Sequence, residues 1–482
     1  MNDLQKFFSS SLDTADIGLE TDLELESSVF TPTDARILGR ANEHIHFCCC
    51  PDGTILGVDR CAAPGENILP IAASFPEFLG LILACKGTYP LLRARYWSRM
   101  KFAAHVQTCT LSLKQRSILR AIENIYHPPK ISDPYDALIA FQDGFDYDSI
   151  RLHPDYDEHC PIRPGKNTWS VTFDSDFFPY LPEGRPCKEC VMEKSFTLGA
   201  EQWQIPAIYT CDKGIVVDCI EQIPLEAIRA FTEKWQHLDQ AELSRRQKLQ
   251  MDAQRPGFGW MGAALKVGSN TIHNYTSHQL SWNPLECDNW KARMVCAHYG
   301  LDIEKAWVIR RYCFNHRIKK KTVLTPLSIQ LRPEETSIPG PCFTAAAAGE
   351  SLDFIHPVTG QSHKLTVLDF SREALDPNFL YNPPCHYCVL TYDLDPPLGR
   401  DQFLIQDTAE NDPLRTPVGQ APEGAVVIGG ADGPTAIFFT APKSKLANAA
   451  ASSLHYEPAE QVTWQLVFKE KRAEAVTVEL LK

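Results

Sequence analysis

Residues 44–58 read His-Ile-His-Phe-Cys-Cys-Cys-Pro-Asp-Gly-Thr-Ile-Leu-Gly-Val, a pattern that predicts a β-hairpin. The tripeptide Pro-Asp-Gly at 51–53 is typical of a chain reversal, because proline fixes one backbone dihedral and glycine permits unusual ones. The runs on either side contain residues that favour extended backbone, such as Phe47, Ile55 and Val58. We therefore expect two antiparallel strands at this point of the chain.

A helix is predicted to follow the hairpin. Ser74 can cap its N-terminus, and Glu77 completes the spacing of a capping box. Apolar residues then recur at helical spacing, at Phe75, Phe78, Leu79, Ile82 and Leu83. This stripe predicts a helix with one face buried against the hairpin.

The hairpin and the Ser-Phe-Pro-Glu-Phe-Leu helix resemble the end of a SUKH-superfamily domain over about residues 44–87. Domains of that superfamily close with a strand pair, a short glycine connection and a phenylalanine-rich helix. Many members protect bacteria against contact-delivered or nuclease toxins, and others are regulatory interaction modules. The resemblance implies an immunity-type, protein-binding function, with a toxin domain as the concrete partner.

The length of 482 residues favours about two to four domains. We interpret the Pro-, Asp-, Tyr- and His-rich residues 128–167 as a connector and place one boundary near 160. A second boundary is placed at Pro339-Gly340-Pro341. The expected segments are a SUKH-like α+β domain with its connector at 1–160, an α+β middle domain at 161–340 and a β-rich domain at 341–482.

Periodicity predicts further elements along the chain, with helices mainly in its first two thirds. The predicted helices cover 91–127, 224–252 and 289–299. The predicted strands cover 205–211, 215–220, 306–314, 323–331, 365–370, 386–392, 403–406, 426–428, 436–440, 462–468 and 475–480. The whole is expected to be multi-domain α+β, with a sandwich or twisted antiparallel sheet at the C-terminal end.

The net charge of −13 repels phosphate backbones and anionic membranes, so nucleic acid is not an expected partner. The 17 cysteines are odd in number and include three contiguous ones at 48–50, which favours reduced thiols in the cytoplasm. Residues 1–28 are acidic, unlike a signal peptide. Apolar runs such as 78–85 reach about half the length of a membrane helix, so we expect a soluble protein without membrane association.

The motif Gly-Gly-Ala-Asp-Gly-Pro-Thr at 429–435 resembles a signature of the β subunit of sodium-translocating biotin-dependent decarboxylases. In that family the aspartate serves ion and proton transfer within an interrupted membrane helix. The resemblance covers little beyond 429–438 and implies a local relationship to such a pump, without its membrane helices.

Two other interpretations of this motif remain open. The glycines permit positive φ and Asp-Gly is a turn dipeptide, so a tight hairpin accounts for every residue. Alternatively, glycine amides could bind an anion, or the carboxylate with backbone carbonyls could bind a monovalent cation. The candidate ligand or ion site consists of Gly429, Gly430, Asp432, Gly433 and Thr435.

Two Cys-x-x-Cys pairs could each place two thiolates on one zinc ion. They are Cys187 with Cys190 and Cys385 with Cys388. His356 and His363 could complete a metal site, or face each other across a hairpin for metal binding or proton transfer. The alternatives are buried reduced thiols for the cysteines and an exposed turn for the histidines.

One basic cluster is predicted to be a solvated strand end or a surface for an acidic partner. It consists of Arg310, Arg311, Arg317, Lys319, Lys320 and Lys321. The sequence contains no Walker loop, dinucleotide glycine fingerprint, Gly-x-Ser-x-Gly or His-Glu-x-x-His motif. We therefore expect binding rather than catalysis, with an enzyme or metalloprotein based on the Cys and His pairs or Asp432 as the alternative.

Overall fold

The computed structural model describes most of the 482-residue chain, and its description covers the following ranges. They are residues 3–10, 12–21, 28–62, 65–160, 162–165, 169–173, 176–177, 185–239, 243–316, 325–374, 386–399, 402–408, 448–455 and 457–482. Within them the fold has ten α-helices and twenty strands, which form five antiparallel sheets. The predicted α+β class is confirmed.

The helices concentrate in the first two thirds of the chain, as predicted. Their bounds are α1 Asp3–Ser9, α2 Phe75–Cys85, α3 Tyr89–Arg93, α4 Arg99–Thr108, α5 Leu113–Tyr126, α6 Pro134–Asp143, α7 Tyr156–His159, α8 Leu225–Trp235, α9 Arg245–Gln254 and α10 Trp290–His298. Two short 3-10 helices cover Ala15–Ile17 and Tyr147–Ser149.

The strands of the first half are β1 Arg36–Arg40, β2 Ile45–Cys49, β3 Ile55–Asp59, β4 Ile68–Ala72, β5 Lys188–Leu198, β6 Glu201–Thr210, β7 Gly214–Ile223, β8 Met261–Val267, β9 Asn270–Ile272 and β10 Tyr275–Trp282. Those of the second half are β11 Ala306–Asn315, β12 Leu327–Pro333, β13 Thr336–Ala345, β14 Ser351–Ile355, β15 Ser362–Ala374, β16 His386–Asp395, β17 Phe403–Asp407, β18 Ala449–Ala451, β19 Val462–Glu470 and β20 Val476–Leu481.

The five sheets combine strands that are neighbours in sequence with strands that are distant in sequence. Their strand orders are β1-β2-β3-β4, β10-β11-β7-β6-β5, β20-β12-β8-β9, β13-β19-β17 and β14-β15-β16-β18. Consecutive strands pair in most of them, because short turns join antiparallel neighbours. The predicted strands at 215–220, 306–314, 365–370, 386–392, 403–406 and 462–468 all fall within strands of the structure, and the one at 205–211 extends one residue beyond β6.

The predicted hairpin is confirmed as β2 and β3, which pair with Phe47 opposite Gly57. Helix α2 follows with Ser74 at its N-cap, where the Ser74 hydroxyl accepts a hydrogen bond from the Glu77 amide at 3.4 Å. The Glu77 carboxylate accepts from the amide of Ala73 at 3.0 Å, one residue before the position that a capping box requires. The predicted helix and its N-cap are therefore present, and only the reciprocal bond of the capping box is displaced by one residue.

The predicted connector at 128–167 is wrong in part, because it contains helix α6. Asp133 caps this helix by accepting from the amide of Asp136, and Pro134 occupies its first turn. Tyr135 and Leu138 then enter the core. The predicted helical region at 91–127 is divided into α3, α4 and α5, with Ser98 and Ser112 as N-caps.

The predicted helix at 224–252 is two helices. Helix α8 ends at Trp235, and α9 begins after Ser244, whose hydroxyl accepts from the amide of Gln247 while the Gln247 side chain accepts from the Ser244 amide. Ser244 lies inside the predicted helix at 224–252. It is a capping residue instead, because its short side chain competes with helical hydrogen bonding and favours the first turn.

The largest hydrophobic core joins the N-terminal segment to the middle of the chain. It contains Trp97 and Phe102 from the first segment and Trp282 and Val295 from the second. The buried Ser98 hydroxyl donates to the carbonyl of Pro284 at 2.7 Å across this junction. A boundary near 160 therefore does not separate two cores.

The predicted boundary at 340 falls inside strand β13, whose residue Ala345 belongs to the C-terminal core. Strand β20, near the end of the chain, pairs with β12 rather than with the C-terminal sheets. The expected strands at 426–428 and 436–440 lie outside the described residues. Among the helices that the structure describes, none has both the length and the apolar character needed to span a membrane.

Candidate functional site

A half-exposed tyrosine, Tyr89, lies on the surface of the N-terminal segment. It is 51% exposed at the start of α3. Its ring centroid lies 5.6 Å from that of Trp97 and 5.4 Å from that of His105. The Arg93 guanidinium lies 5.5 Å from the ring centroid. The ring is therefore held in place by neighbours while about half of it faces solvent.

The backbone at Tyr89 is fixed by the buried residue before it. The amide of Thr88 donates to the carbonyl of Ile17 at 3.0 Å, and its hydroxyl donates to that of Gly18 at 2.6 Å. Gly18 has a φ of +80°, and a Cβ there would lie 2.5 Å from the Thr88 hydroxyl. Only glycine fits this close approach without displacing Thr88.

A pocket of about 50 Å³ lies beside Tyr89, between α3 and strands β2 to β4. Two carboxylates line it, those of Asp59 and Glu66, together with the phenol of Tyr96. The Tyr96 hydroxyl donates to Glu66 at 3.3 Å, and burial raises the pKa of Tyr96, with the Glu66 charge acting in the same direction. We call Tyr89, Arg93, Tyr96, Asp59 and Glu66 the Tyr89 surface.

A buried ion pair lies in the five-stranded sheet. Arg311 on β11 and Asp218 on β7 are directly opposite each other and both are 0% exposed. The Arg311 Nε and Nη2 atoms each donate to one oxygen of Asp218 at 2.8 Å. Burial alone would lower the pKa of Arg311, but the carboxylate of Asp218 outweighs it and raises that pKa.

Two tyrosines connect this ion pair to solvent. Tyr299 donates to Asp218 Oδ2 at 2.6 Å, and its hydroxyl oxygen lies 2.7 Å from that of Tyr209. Tyr209 donates to Glu189 Oε1 at 2.9 Å. The half-buried His298 places its Nε2 3.0 Å from the same Glu189 oxygen. We call these five residues with Arg311 the polar cluster.

The polar cluster contains fewer hydroxyl protons than oxygen contacts. Burial raises the pKa of both Tyr209 and Tyr299, so each keeps one proton. These two protons are donated to Glu189 and Asp218, so the contact between the two tyrosine oxygens has no proton of its own. The arrangement therefore holds the buried charge of Asp218 within a connected polar network.

Neither the Tyr89 surface nor the polar cluster was predicted from the sequence. A signal for the cluster was present, because charged residues interrupt the apolar strands at 214–223 and 306–315. A charge inside such a strand predicts a buried partner. The Tyr89 surface had no such signal, since a lone Tyr-Pro-Leu-Leu-Arg segment fits a core helix equally well.

The predicted basic patch is wrong for its first two members. Arg311 belongs to the polar cluster, and Arg310 on the other face of the sheet is 3% exposed. Arg310 donates to Glu221 at 2.6 Å, and burial raises the pKa of Glu221 despite this contact. Both arginines are buried because each has a carboxylate on the neighbouring strand. The remaining four, Arg317, Lys319, Lys320 and Lys321, lie outside the described residues.

The structure brings His356 and His363 together with ring centroids 6.1 Å apart. Both are buried, at 3% and 2% exposure, so the alternative of an exposed turn is wrong. The amides of Val358 and Thr359 donate to His356 Nδ1 at 3.2 and 3.3 Å. Neutral His356 therefore carries its proton on Nε2, 3.6 Å from the carboxylate of Glu470.

This tautomer leaves neutral His356 without a free nitrogen lone pair for a metal ion. His363 is different, because its Nδ1 faces the carbonyl of Pro396 at 2.8 Å and its Nε2 has no hydrogen-bond partner among the described residues. Burial lowers the pKa of His356, and the charge of Glu470 opposes that change. The pair is better suited to a neutral buried contact than to shared metal binding.

The cysteine pairs do not assemble as predicted. Cys187 forms a disulfide with Cys211, so its sulfur is not a thiolate, and the expectation that all cysteines are reduced is wrong for these two. Cys190 is an exposed free thiol, Cys388 is a buried one, and Cys385 lies outside the described residues. In the described ranges, no three His, Cys, Asp or Glu side chains are grouped as a metal site would require.

Thiol exposure leads to a prediction for chemical labelling. Iodoacetamide should modify the exposed Cys61 and Cys190 at least about tenfold faster than Cys48 and Cys219. The two slow thiols are 0% exposed, and burial raises the pKa of each. Peptide mass spectrometry after timed labelling of the folded protein measures these rates. Equal rates for Cys190 and Cys219 would contradict the arrangement.

A serine, a histidine and an aspartate approach one another near the C-terminal end. His455 Nε2 lies 3.9 Å from Asp407 Oδ2, and both residues are buried. The nearby Ser452 hydroxyl donates to the carbonyl of Ser453 and accepts from the amide of Cys388. These backbone bonds engage the hydroxyl, so the group does not have the geometry of a nucleophile and its base.

The candidate ligand or ion site at Gly429, Gly430, Asp432, Gly433 and Thr435 lies outside the described residues, and its interpretations stay predictions. Comparisons with protein-family models, with curated proteins and with solved structures found no match to this chain.

Proposed function

We propose that this protein works by binding a basic protein partner through the Tyr89 surface, with neutralisation of a nuclease-type toxin domain as the concrete form. The observation that carries the proposal is a ring that is held on several sides by Trp97, His105 and Arg93 and is still 51% exposed. Tyrosine, tryptophan and arginine are the residues that most often dominate binding energy at protein interfaces.

Pre-organisation supports the same proposal. A side chain that is already fixed loses little conformational entropy when a partner covers it. Tyr89 is such a side chain, since its backbone is anchored through Thr88 to the carbonyls of Ile17 and Gly18. Binding there would not require the surface to be reorganised.

The negative charge of this protein indicates that its partner is positively charged. The chain has a net charge of −13, and the pocket beside Tyr89 presents the carboxylates of Asp59 and Glu66. A long-range negative field accelerates encounter with a positively charged protein. A lysine or arginine of such a partner would pair with the carboxylate of Asp59 beside Tyr89.

The proposal predicts that Tyr89→Ala weakens partner binding about 30-fold. The partner can be identified by replacing Tyr89 with a photo-crosslinking amino acid in the cells that produce the protein, followed by mass spectrometry of the adduct. Calorimetry with the purified partner then gives the Kd of each variant. We expect the partner to be basic and its affinity to fall as salt concentration rises.

Trp260→Ala is the matched control, because Trp260 is a larger aromatic side chain that is 75% exposed elsewhere on the protein. It should bind the partner with an unchanged Kd. The proposal fails if Tyr89→Ala binds as tightly as the wild type, or if Trp260→Ala is the variant that loses binding.

A further inference from the structure

Arg293 on helix α10 is a half-buried cation without a partner in the part of the chain that the structure describes. Its Nε atom is buried and has no hydrogen-bond acceptor. No carboxylate among the described residues is within the 4.0 Å that defines an ion pair with its guanidinium. Arg310 and Arg311, which are almost fully buried, each have such a partner. A buried guanidinium N–H group without an acceptor is costly, and a bound anion would supply one.

The position of Arg293 is fixed by its neighbours on α10. Ala292 and Cys296 are both 0% exposed and pack into the core that joins the N-terminal segment to the middle of the chain. Tyr135 of α6 belongs to the same core, and its hydroxyl donates to the carbonyl of Trp97. Arg293 therefore lies at the junction between α10 and α6, where a bound group would contact both segments.

Arg293 has ionisable neighbours of both kinds. Burial lowers its pKa, Tyr135 and Cys296 act to raise it, and the charge of Arg95 acts to lower it. Asp143, at the exposed end of α6, opposes that effect from beyond ion-pair distance. Arg95 itself donates to Tyr147 at 3.1 Å and lies 3.9 Å from Glu66.

We propose that Arg293 binds a small oxyanion such as a phosphate or carboxylate group. A guanidinium presents parallel N–H donors that match two oxygens of such a group, and the anion would supply the acceptor that the buried Nε lacks among the described residues. Because α10 and α6 belong to different segments of one core, the anion would stabilise their junction. This site is separate from the Tyr89 surface and does not depend on the proposed partner.

Thermal unfolding of the full chain tests the site, with inorganic phosphate as the probe and potassium chloride at equal ionic strength as the reference. Phosphate should raise the wild-type Tm by about 3 °C at saturation, and should shift Arg293→Met no more than chloride does. In chloride alone, Arg293→Met should be at least as stable as the wild type, because the substitution removes an unpaired charge. Arg120→Met, which changes an exposed arginine on α5, should respond to phosphate like the wild type.

A second variant keeps the test informative if Arg293→Met does not fold. Arg293→Lys retains the charge but loses the paired donors, and the phosphate Kd from Tm titrations should rise at least about tenfold. The proposal is overturned if either variant shows the wild-type response to phosphate, or if wild-type protein responds to phosphate and chloride equally. An Arg293→Met protein that is folded and less stable than wild type in chloride would also overturn it.

Discussion

Arg311→Met is expected to lower the free energy of unfolding by about 3–5 kcal/mol. The substitution leaves Asp218, which is 0% exposed, as an uncompensated charge in the middle of a sheet. It also removes both donors from a carboxylate whose other contact is the hydroxyl of Tyr299. Urea unfolding followed by circular dichroism at neutral pH measures the loss. Arg332→Met, in strand β12, changes an exposed arginine and should cost less than about 1 kcal/mol.

A double substitution distinguishes the stability lost with the arginine side chain itself from the stability lost because Asp218 has no counter-charge. In Asp218→Val with Arg311→Met no buried charge remains, so most of the lost stability should return. The two residues face each other on β7 and β11, and their apolar replacements can pack across the strands. If the double variant is as unstable as Arg311→Met alone, the uncompensated carboxylate is not the cause.

Local sequence signals predicted many of the elements, because their causes lie within a few residues. The Pro-Asp-Gly turn and flanking apolar runs produce the hairpin β2–β3, and Asn289 caps α10 at the predicted place. Helix α6 had an equally local signal in Asp133-Pro134, but the polar composition around it suggested a connector. Composition is a weaker guide than a cap followed by apolar spacing.

The candidate sites depended on contacts between distant residues, and the sequence could not supply these. Arg310 and Arg311 looked like the start of a basic patch because their carboxylate partners are about ninety positions away on β7. Cys187 looked like a zinc ligand because Cys190 is close in sequence, whereas its disulfide partner is Cys211 across a strand pair. Pairing across strands decides whether a polar side chain is buried, and a short pattern contains no such information.

The same limit applied to the histidines. His356 and His363 were expected to be usable for metal binding, and the hairpin does bring them together. The amides of Val358 and Thr359 then determine the tautomer of His356, through bonds that only the folded turn creates. The sequence spacing of the two histidines predicted that their rings are close. Whether His356 has a nitrogen lone pair for a metal ion depends on the backbone amides that donate to it.

Stability should fall by about 3 kcal/mol between pH 7.5 and pH 4 because of His46 alone. His46 on β2 is 3% exposed, and its Nε2 lies 3.0 Å from the hydroxyl of Thr31. Burial lowers the pKa of His46 to about 4, and the charge of Arg60 contributes in the same direction. In the unfolded chain the pKa is near its ordinary value of about 6.5. Between these two values the unfolded state binds a proton that the folded state does not, so acid favours unfolding.

Urea unfolding of wild type and His46→Gln at pH 7.5, 5.5 and 4.5 isolates this contribution from the other titrating groups. The wild type should lose about 2 to 3 kcal/mol more than the variant over this range, with the difference developing below pH 6.5. His44→Gln, which changes an exposed histidine two residues away, controls for the loss of an imidazole and should follow the wild type. Parallel curves for wild type and His46→Gln would show that His46 takes up its proton in the folded state. That result would mean that a charged imidazole is accommodated where 97% of the residue is shielded from water.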